Sequence, residues 1–314
     1  MGPKKALVFD LGGTKLAAGI VSETGEIFHY TKEPARIPRG FDAVVDQFVT
    51  LGRRLLDTEE GQDAGRVGVA SAGPLDPYKG LLLDPTNFFT NGKSWGVVDF
   101  VSPLCEGLGL PVVLENDAAA AVLAENWKGE AQGAKNCVAM TLGTGVGVGV
   151  VVNGELLRSG GYLHPEVSHM VIGHKDDLAP SPIGVLGTME AYLSGKNFSQ
   201  RVAKKWGLGE LSGEELTSMA QNGESKALEA FSEYADWFAV SLYNLTILFA
   251  PEVIVIAGGF AAASDLFLNE TKSKLSRMLQ RRQCAEEFFP KVRVSNFKNQ
   301  MGLIGAAHVA FHRA

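Results

Sequence analysis

Cysteine is scarce and scattered in this chain of 314 residues. The three cysteines, Cys105, Cys137 and Cys284, form no Cys-x-x-Cys pair and are odd in number. Disulfide frameworks and thiolate metal sites need cysteines at short, regular spacings. The sequence therefore predicts neither kind of site.

Long apolar runs and a surplus of basic residues are also missing. No apolar run reaches the length that spans a bilayer, and the start, MGPKKALVFD, lacks the apolar core of a signal peptide. We expect a cytoplasmic protein with no membrane partner. The formal net charge is −6, whereas a duplex-DNA binder normally presents a basic face, so we expect no nucleic-acid partner. An anionic ligand stays open, because backbone N–H groups and a metal ion can hold phosphates.

The length exceeds the usual size of a single core, so we expect two lobes. Hydrophobic residues make up 46% and charged residues 20% of the chain, which is typical of a globular protein. No low-complexity linker separates the lobes. The spacing of apolar residues predicts a helix over 41–56 and a closing helix over 302–312, which we expect to pack back onto the N-terminal lobe.

Two segments repeat one pattern about 130 residues apart. FDLGGTKLAAGIV (9–21) and MTLGTGVGVGVVV (140–152) each read as an apolar strand, a glycine-rich turn with a threonine, and a second apolar strand. A further strand, PEVIVIAGGF (251–260), ends in two glycines. Such turns can be tight hairpins in which glycine supplies a positive φ. Because the turns match between lobes, they also suggest a shared ligand.

A polar corner precedes a helix rich in small residues at VLENDAAAAVLAEN (113–126). Asp117 could cap this helix, since a side-chain oxygen there satisfies free N–H groups of the first turn and the helix dipole favours an acid. Asn116 and Asp117 could instead serve a ligand. The residues of this segment alone leave both interpretations open.

These motifs together resemble the ROK family of sugar kinases. FDLGGTK, the Glu-Asn-Asp before an alanine-rich helix, TLGTGVGVGVVVNGEL and IVIAGGF occur in that family's order, and the resemblance runs from about residue 6 to 312. It implies a two-lobed α/β fold of the actin-like ATPase (ribonuclease H-like) type, with nucleotide and sugar in the cleft between the lobes. We expect a small lobe of 1–115 plus about 298–314, and a large lobe of 116–297.

The resemblance also implies roles for the glycine-rich turns. Asp10 is expected to hold Mg²⁺, directly or through water. Three segments are expected to bind ATP. The first phosphate turn consists of Gly12, Gly13, Thr14 and Lys15, and the second phosphate turn consists of Gly143, Thr144 and Gly145. The adenosine-side loop consists of Gly258 and Gly259. Backbone N–H groups with a threonine hydroxyl and a lysine suit phosphate oxygens.

The sugar site is expected to draw on residues from both lobes. By resemblance, Asn116 is a sugar-binding amide and Asp117 the catalytic base, which accepts the proton of the attacking hydroxyl. A slim alanine helix would hold that carboxylate in one place. Glu166, His169 and Glu190 are further expected sugar contacts. Gly73 and Asn87 are weaker candidates, because ordinary turns are also rich in these residue types.

One segment departs from the family pattern. ROK kinases usually carry Glu-x-Gly-His and then three cysteines that bind zinc with the histidine, but this chain has Ser168 in the first motif and Ser181, Ile183 and Thr188 in place of the cysteines. His169 and His174 alone cannot close a tetrahedral zinc site. We therefore predict no structural zinc, and expect Ile183, Val185 and Leu186 to form a small apolar core instead.

The resemblance predicts an ATP-dependent kinase that phosphorylates the 6-hydroxyl of a hexose, with glucose as the first candidate. An N-acetylhexosamine kinase (N-acetylglucosamine or N-acetylmannosamine) and a fructokinase or mannokinase stay open, as does a polyphosphate donor. A sugar-sensing repressor is disfavoured, because the first phosphate strand begins near residue 6 and leaves no room for a helix-turn-helix domain. A non-catalytic sugar-binding protein is a further alternative, and a homodimer is expected from the family.

Overall fold

The computed structural model describes residues 3–173, 184–280 and 288–313, and the chain divides into two compact units. The first unit comprises Met1–Gln132, Leu156–Pro165 and Asn299–Ala314. The second comprises Gly133–Glu155 and Glu166–Lys298. The chain therefore leaves the second unit at residue 156 and re-enters it at residue 166.

Strands and helices follow one another along the described chain in the following order. The strands are β1 (Lys5–Leu11), β2 (Lys15–Ser22), β3 (Ile27–Pro34), β4 (Ala64–Ser71), β5 (Leu75–Asp76), β6 (Leu81–Leu83), β7 (Phe89–Thr90), β8 (Lys93–Ser94), β9 (Val97–Asp99), β10 (Val112–Asn116), β11 (Cys137–Leu142), β12 (Val146–Val152), β13 (Glu155–Leu156), β14 (Val253–Ala257) and β15 (Lys291–Val294). The helices are α1 (Phe41–Leu56), α2 (Val101–Leu108), α3 (Asp117–Lys128), α4 (Met189–Leu193), α5 (Gly195–Trp206), α6 (Gly213–Gln221), α7 (Ser225–Phe249), α8 (Leu268–Leu279) and α9 (Met301–His312).

Both units are built on the same sheet pattern. The first sheet has the order β10-β4-β1-β2-β3 and the second has the order β13-β12-β11-β14-β15. In each, an antiparallel hairpin (β1–β2 or β11–β12) is extended by two parallel strands on the side of its first strand. The two predicted hairpins and the repeat are confirmed.

Alternation along β1 divides the core of the first unit into two layers. Leu7, Phe9 and Leu11 face α1 and α2, where Phe9 and Phe48 bring their ring centroids to 4.6 Å. The opposite face is covered by α9, which packs on β1, β4 and α3. Glycines allow this close approach, because a Cβ at Gly305 would overlap the carbonyl oxygen of Ala120 in α3.

The packing of α9 decides where the units divide. The closing helix, which we expect from the sequence to return to the N-terminal lobe, lies in the first unit and packs on β1 and β4. The predicted boundary after residue 115 differs from the observed one, since α3 and the segment 156–165 both belong to the first unit. Small residues on α3 and α9 bring these helices together, which holds α3 beside the sheet that precedes it.

An aromatic cluster fills the core of the second unit beside α7. Phe231 and Tyr234 of α7 meet rings from α5 and from the segment after β14, with Phe198–Tyr234 centroids 4.7 Å apart and Tyr234–Phe267 centroids 4.8 Å apart. Across the described ranges, no helix combines the length and apolarity needed to cross a membrane.

Candidate active site

Three parallel strands of the first unit end at one edge of its sheet. Leu11 of β1 lies opposite Ser71 of β4, and Ser71 lies opposite Asn116 of β10. The segments that follow these strands therefore emerge side by side: the first phosphate turn, the loop with Gly73, and Asp117. In open α/β sheets, ligands bind outside the carboxyl ends of the strands. The structure thus brings these predicted site residues together.

Asn116, and not Asp117, is the N-cap of α3. Its Oδ1 accepts hydrogen bonds from the backbone N–H groups of Ala118 at 2.9 Å and Ala119 at 3.2 Å. Asp117 is the first residue of the helix, and its side chain is exposed, with Oδ1 accepting from Ala118 N at 2.8 Å. Because Asn116 does the capping, the Asp117 carboxylate can face a ligand at the positive end of the helix.

The first phosphate turn has glycines that the backbone conformation does not demand. The turn closes with a hydrogen bond from Gly12 N to Lys15 O at 3.0 Å. Neither Gly12 nor Gly13 has a positive φ. The hairpin is present, but the explanation that these glycines supply a positive φ is wrong. A Cβ at Gly13 would lie 3.2 Å from the Cβ of Asn87, which places that predicted contact residue directly against the turn.

Asp10 lies in a row of side chains that crosses the first sheet. The register pairs Asp10 with Ala17 and Ala17 with Lys32, so the lysine lies on the same face as the carboxylate, across a small residue. Burial raises the pKa of Asp10 to about 6, and the charge of Lys32 partly opposes that rise. A side chain at Gly302 would collide with this carboxylate. Neither Lys32 nor Gly302 can be linked to Asp10 from local sequence patterns, because both are far from it in the chain.

The second phosphate turn contacts Glu190, one of the residues predicted to bind the sugar. Gly143 N donates to Gly145 O at 3.0 Å, and Val146 N donates to Oε2 of the buried Glu190 at 2.9 Å. A Cβ at Gly145 would lie 2.5 Å from that same oxygen. Glu190 and the turn are therefore held in one fixed arrangement. By contrast, a Cβ at Gly143 would have open space around it, with no other part of the described chain within 4 Å.

Two other segments of the second unit reach this turn. Gly258, with φ of 89°, packs on the backbone of Leu142, while a Cβ at Gly259 would point into open space. Gly195, the first residue of α5, donates its N–H to Gly143 O at 2.9 Å. Sequence reasoning missed this helix start. Its local signal is Ser194, which caps α5 by accepting from Asn197 N at 3.2 Å.

His169 and Glu190 lie close enough to Glu166 to influence the charge of its carboxyl group. Partial burial raises the pKa of Glu166, the nearby Glu190 carboxylate raises it further, and His169 opposes the rise. Glu166 and His169 are also joined through the backbone, with His169 N donating to Glu166 O at 3.1 Å. These three predicted sugar contacts thus form one polar group in the second unit.

Backbone hydrogen bonds close the base of the segment where the family has cysteines. Ile172 N and Gly173 N donate to Gly187 O at 2.8 Å and 3.0 Å, and Met189 N donates to Met170 O at 2.8 Å. Thr188 is buried and caps α4 through Ala191 N at 3.2 Å. These contacts join the described residues on the two sides of the segment.

The expected apolar core in this segment is wrong for two of its three members. Val185 is 41% exposed and Leu186 is 45% exposed, so neither is covered by a core. Glycines with positive φ flank them at 184 and 187 and turn the chain outward. His174, Ser181 and Ile183 lie outside the described residues. Within the described ranges, no three His, Cys, Asp or Glu side chains group as metal ligands.

Comparison with known proteins identifies the family. The ROK family model matches residues 6–313. The chain belongs to the ROK family. It is 30% identical to a glucokinase of Thermotoga maritima, over 87% of this chain and 88% of the relative. It is also 29% identical to a beta-glucoside kinase of Listeria innocua, over 97% of this chain and 96% of the relative.

Solved structures of ROK proteins share this fold. A ROK hexokinase from Thermus thermophilus matches with a TM-score of 0.81 and 29% identity, covering 98% of both chains. A ROK glucokinase from Streptomyces griseus, in complex with glucose and AMPPNP, matches with a TM-score of 0.79 and 28% identity, covering 99% of both chains. The predicted family and the α/β actin-like ATPase fold class are confirmed.

Gly143 and Gly258 differ in what an added side chain would meet. At Gly143 it would enter open space, whereas at Gly258 it would clash with the backbone of Leu142. Gly143→Ala adds a methyl group where the protein leaves room, so the melting temperature (Tm) should change by no more than about 1–2 °C, while KM for ATP rises about tenfold or more. Gly258→Ala must instead clash with Leu142 and should lower Tm. Kinetics and thermal unfolding measure both effects, with Gly209→Ala, at another open position, as control. An unchanged KM in Gly143→Ala would refute the phosphate role of the turn.

The raised pKa of Asp10 makes its charge destabilising at neutral pH. The folded state binds this proton more tightly than the unfolded chain, so the stability it confers is present at low pH and is lost as the pH rises through about 6. Near pH 8, the free energy of unfolding of Asp10→Asn, measured by urea titration, should therefore exceed that of the wild type by about 1–3 kcal/mol. Near pH 4 the two proteins should be equally stable. Asp99→Asn is the control, because hydrogen bonds from Ser102 lower the pKa of Asp99, and it should give no gain. A loss of stability in Asp10→Asn near pH 8 would contradict the assignment.

Proposed function

We propose that this protein is an ATP-dependent sugar kinase that transfers the γ-phosphate to the 6-hydroxyl of a hexose, with glucose as the leading substrate. One observation carries the proposal: the first phosphate turn follows β1 and the exposed Asp117 follows β10, and these two strands flank β4 and end at the same edge of one sheet. A phosphate donor and an alcohol acceptor bound there would meet. The glucokinase names of the relatives support the choice of hexose.

Asp117 is the proposed general base. Phosphoryl transfer needs mainly positioning and charge neutralisation from the protein, but the sugar hydroxyl must still lose its proton as it attacks. A carboxylate within hydrogen-bond reach can accept that proton. Asn116 uses Oδ1 to cap α3, which fixes the amide plane and leaves Nδ2 as a donor for a sugar hydroxyl.

The phosphate turn of each unit is proposed to bind ATP through backbone N–H groups, with Lys15 supplying a positive charge. Asp10 fits as a Mg²⁺ ligand for three reasons. Its carboxylate is a hard oxygen ligand, it receives no hydrogen bond from the described residues, and its pKa is raised, which a cation would oppose. When bound, Mg²⁺ neutralises charge on the phosphates.

Polar groups of the second unit are proposed to select the sugar. Glu166, His169 and Glu190 provide acceptors and a donor for hydroxyl groups, and a site built to pair hydroxyls discriminates strongly against analogues that lack them. Glu190 is the best fixed of the three, because Val146 N holds its Oε2. An N-acetylhexosamine remains the alternative substrate class.

A substrate screen and one substitution test the function. Coupled ADP release should be fastest with glucose when glucose, mannose, fructose, N-acetylglucosamine and N-acetylmannosamine are compared with ATP and Mg²⁺. Asp117→Asn should lower kcat about 10²–10⁴-fold because the base is lost, with Tm almost unchanged. Asp42→Asn is the matched control, since Asp42 is also an exposed acid in the first turn of a helix. No turnover with any of these sugars, or near-native kcat in Asp117→Asn, would refute the proposal.

We further propose that the protein folds without structural zinc. The sequence has no cysteine at 181, 183 or 188, and backbone hydrogen bonds already close the base of that segment. Elemental analysis of purified protein should find well under one zinc per chain, and a strong chelator should leave Tm and activity unchanged. One tightly held zinc per chain, lost together with stability on chelation, would overturn this prediction.

A further inference from the structure

Glu115 is a carboxylate buried completely inside the first unit, immediately before Asn116 and Asp117. Its Oε1 accepts from Arg158 Nη1 at 2.9 Å and from Asn116 N at 2.9 Å. Its Oε2 accepts from Arg158 Nη2 at 2.5 Å and from Arg313 Nη2. Burial alone would raise the pKa of Glu115, but the hydrogen bonds from Arg158 and the charges of Arg313 and Arg158 outweigh it and lower the pKa. The group is therefore ionised and fully paired.

The two arginines come from distant parts of the chain. Arg158 lies in the segment 156–165, which enters the first unit between two stretches of the second, and Arg313 directly follows α9. Both guanidinium groups lie over the ring of Tyr78, at 5.7 Å and 5.4 Å from its centroid. Pairing of a buried carboxylate is weak evidence for stability, because apolar residues of similar volume often serve a core equally well. The position of the cluster next to Asn116 and Asp117 suggests a role other than stability.

The cluster holds three consecutive residues that lead to the proposed base. Arg313 Nη1 donates to Leu114 O at 2.7 Å, Arg158 and Arg313 fix the side chain of Glu115, and that side chain binds Asn116 N. Asn116 then caps α3 through Ala118 and Ala119. An unbroken series of hydrogen bonds thus runs from two charged side chains to the first turn of the helix that carries Asp117.

We propose that Glu115, Arg158 and Arg313 form a positioning cluster that holds the corner between β10 and α3, and so sets the place of the Asn116 amide and the Asp117 carboxylate. This inference rests on the proposed function. None of the three residues touches the reacting atoms in this account. Misplacing a catalytic group by about 1 Å can lower a rate about 100-fold, so loosening the corner should reduce turnover more than nucleotide binding.

Arg313 and Arg66 provide a matched pair for the test. Arg66 also binds the C-terminal segment, with Nη1 donating to Arg313 O at 2.7 Å, but its side chain does not contact Glu115. Arg313→Met should lower kcat for glucose phosphorylation about 10- to 100-fold, with KM for ATP within about twofold of the wild type. Arg66→Met should stay within about twofold in both. If the cluster only anchors the C-terminus, the two variants should behave alike, which would overturn the inference.

Conservative and compensated variants separate positioning from folding. Arg158→Lys keeps one charged hydrogen bond to Glu115 and should retain more kcat than Arg158→Met at equal Tm.

Arg313→Met leaves one arginine for the buried carboxylate and could unfold. In that case Glu115→Met/Arg158→Met/Arg313→Met removes the charges together and should fold, bind AMPPNP with wild-type affinity by calorimetry, and still show the reduced kcat. A folded triple variant with wild-type kcat would overturn the inference, and so would its failure to fold, since the cluster would then be needed for stability. Failure of the wild type to phosphorylate any sugar would instead count against the proposed function.

Discussion

The parallel alignment of β1, β4 and β10 is the constraint on which the candidate site depends. Because Leu11, Ser71 and Asn116 share one register position, the turns that follow them must emerge together. A shift of one residue in a strand turns every side chain to the other face of the sheet. It would reverse the directions of Asp10 and Glu115, and the phosphate turn would no longer share an edge with a correctly directed carboxylate.

Several residues of the candidate site are suited to binding a ligand but lower the stability of the protein when no ligand is bound. The Asp10 carboxylate is held where its pKa is raised, and the glycines at 143 and 259 leave space that the described residues do not fill. Other glycines are required by packing, as at 258, 302 and 305. This contrast distinguishes a binding turn from a merely tight one. A site that is strained without its ligand is expected where function and stability compete.

Local patterns in the sequence predicted much of this arrangement. Glycine turns between apolar strands marked both hairpins, and apolar spacing located α1 with the observed ends. Neighbouring residues could not show which of Asn116 and Asp117 caps α3, since both side chains can do so. Contacts distant in sequence were also hidden: Lys32 reaches Asp10 through strand register, and Arg158 and Arg313 reach Glu115 across 43 and 198 positions. The first unit extends beyond residue 115 because small residues join α3 to a helix at the other end of the chain.

A crystal structure with glucose and AMPPNP bound would test the central claim most directly. An oxygen of Asp117 should lie within hydrogen-bond reach of the sugar 6-hydroxyl, about 2.6–3.2 Å. The Asn116 amide should contact a neighbouring hydroxyl, and the nucleotide phosphates should lie against the glycines at 12 and 143. A structure in which glucose binds while Asp117 points away from it would rule out Asp117 as the base.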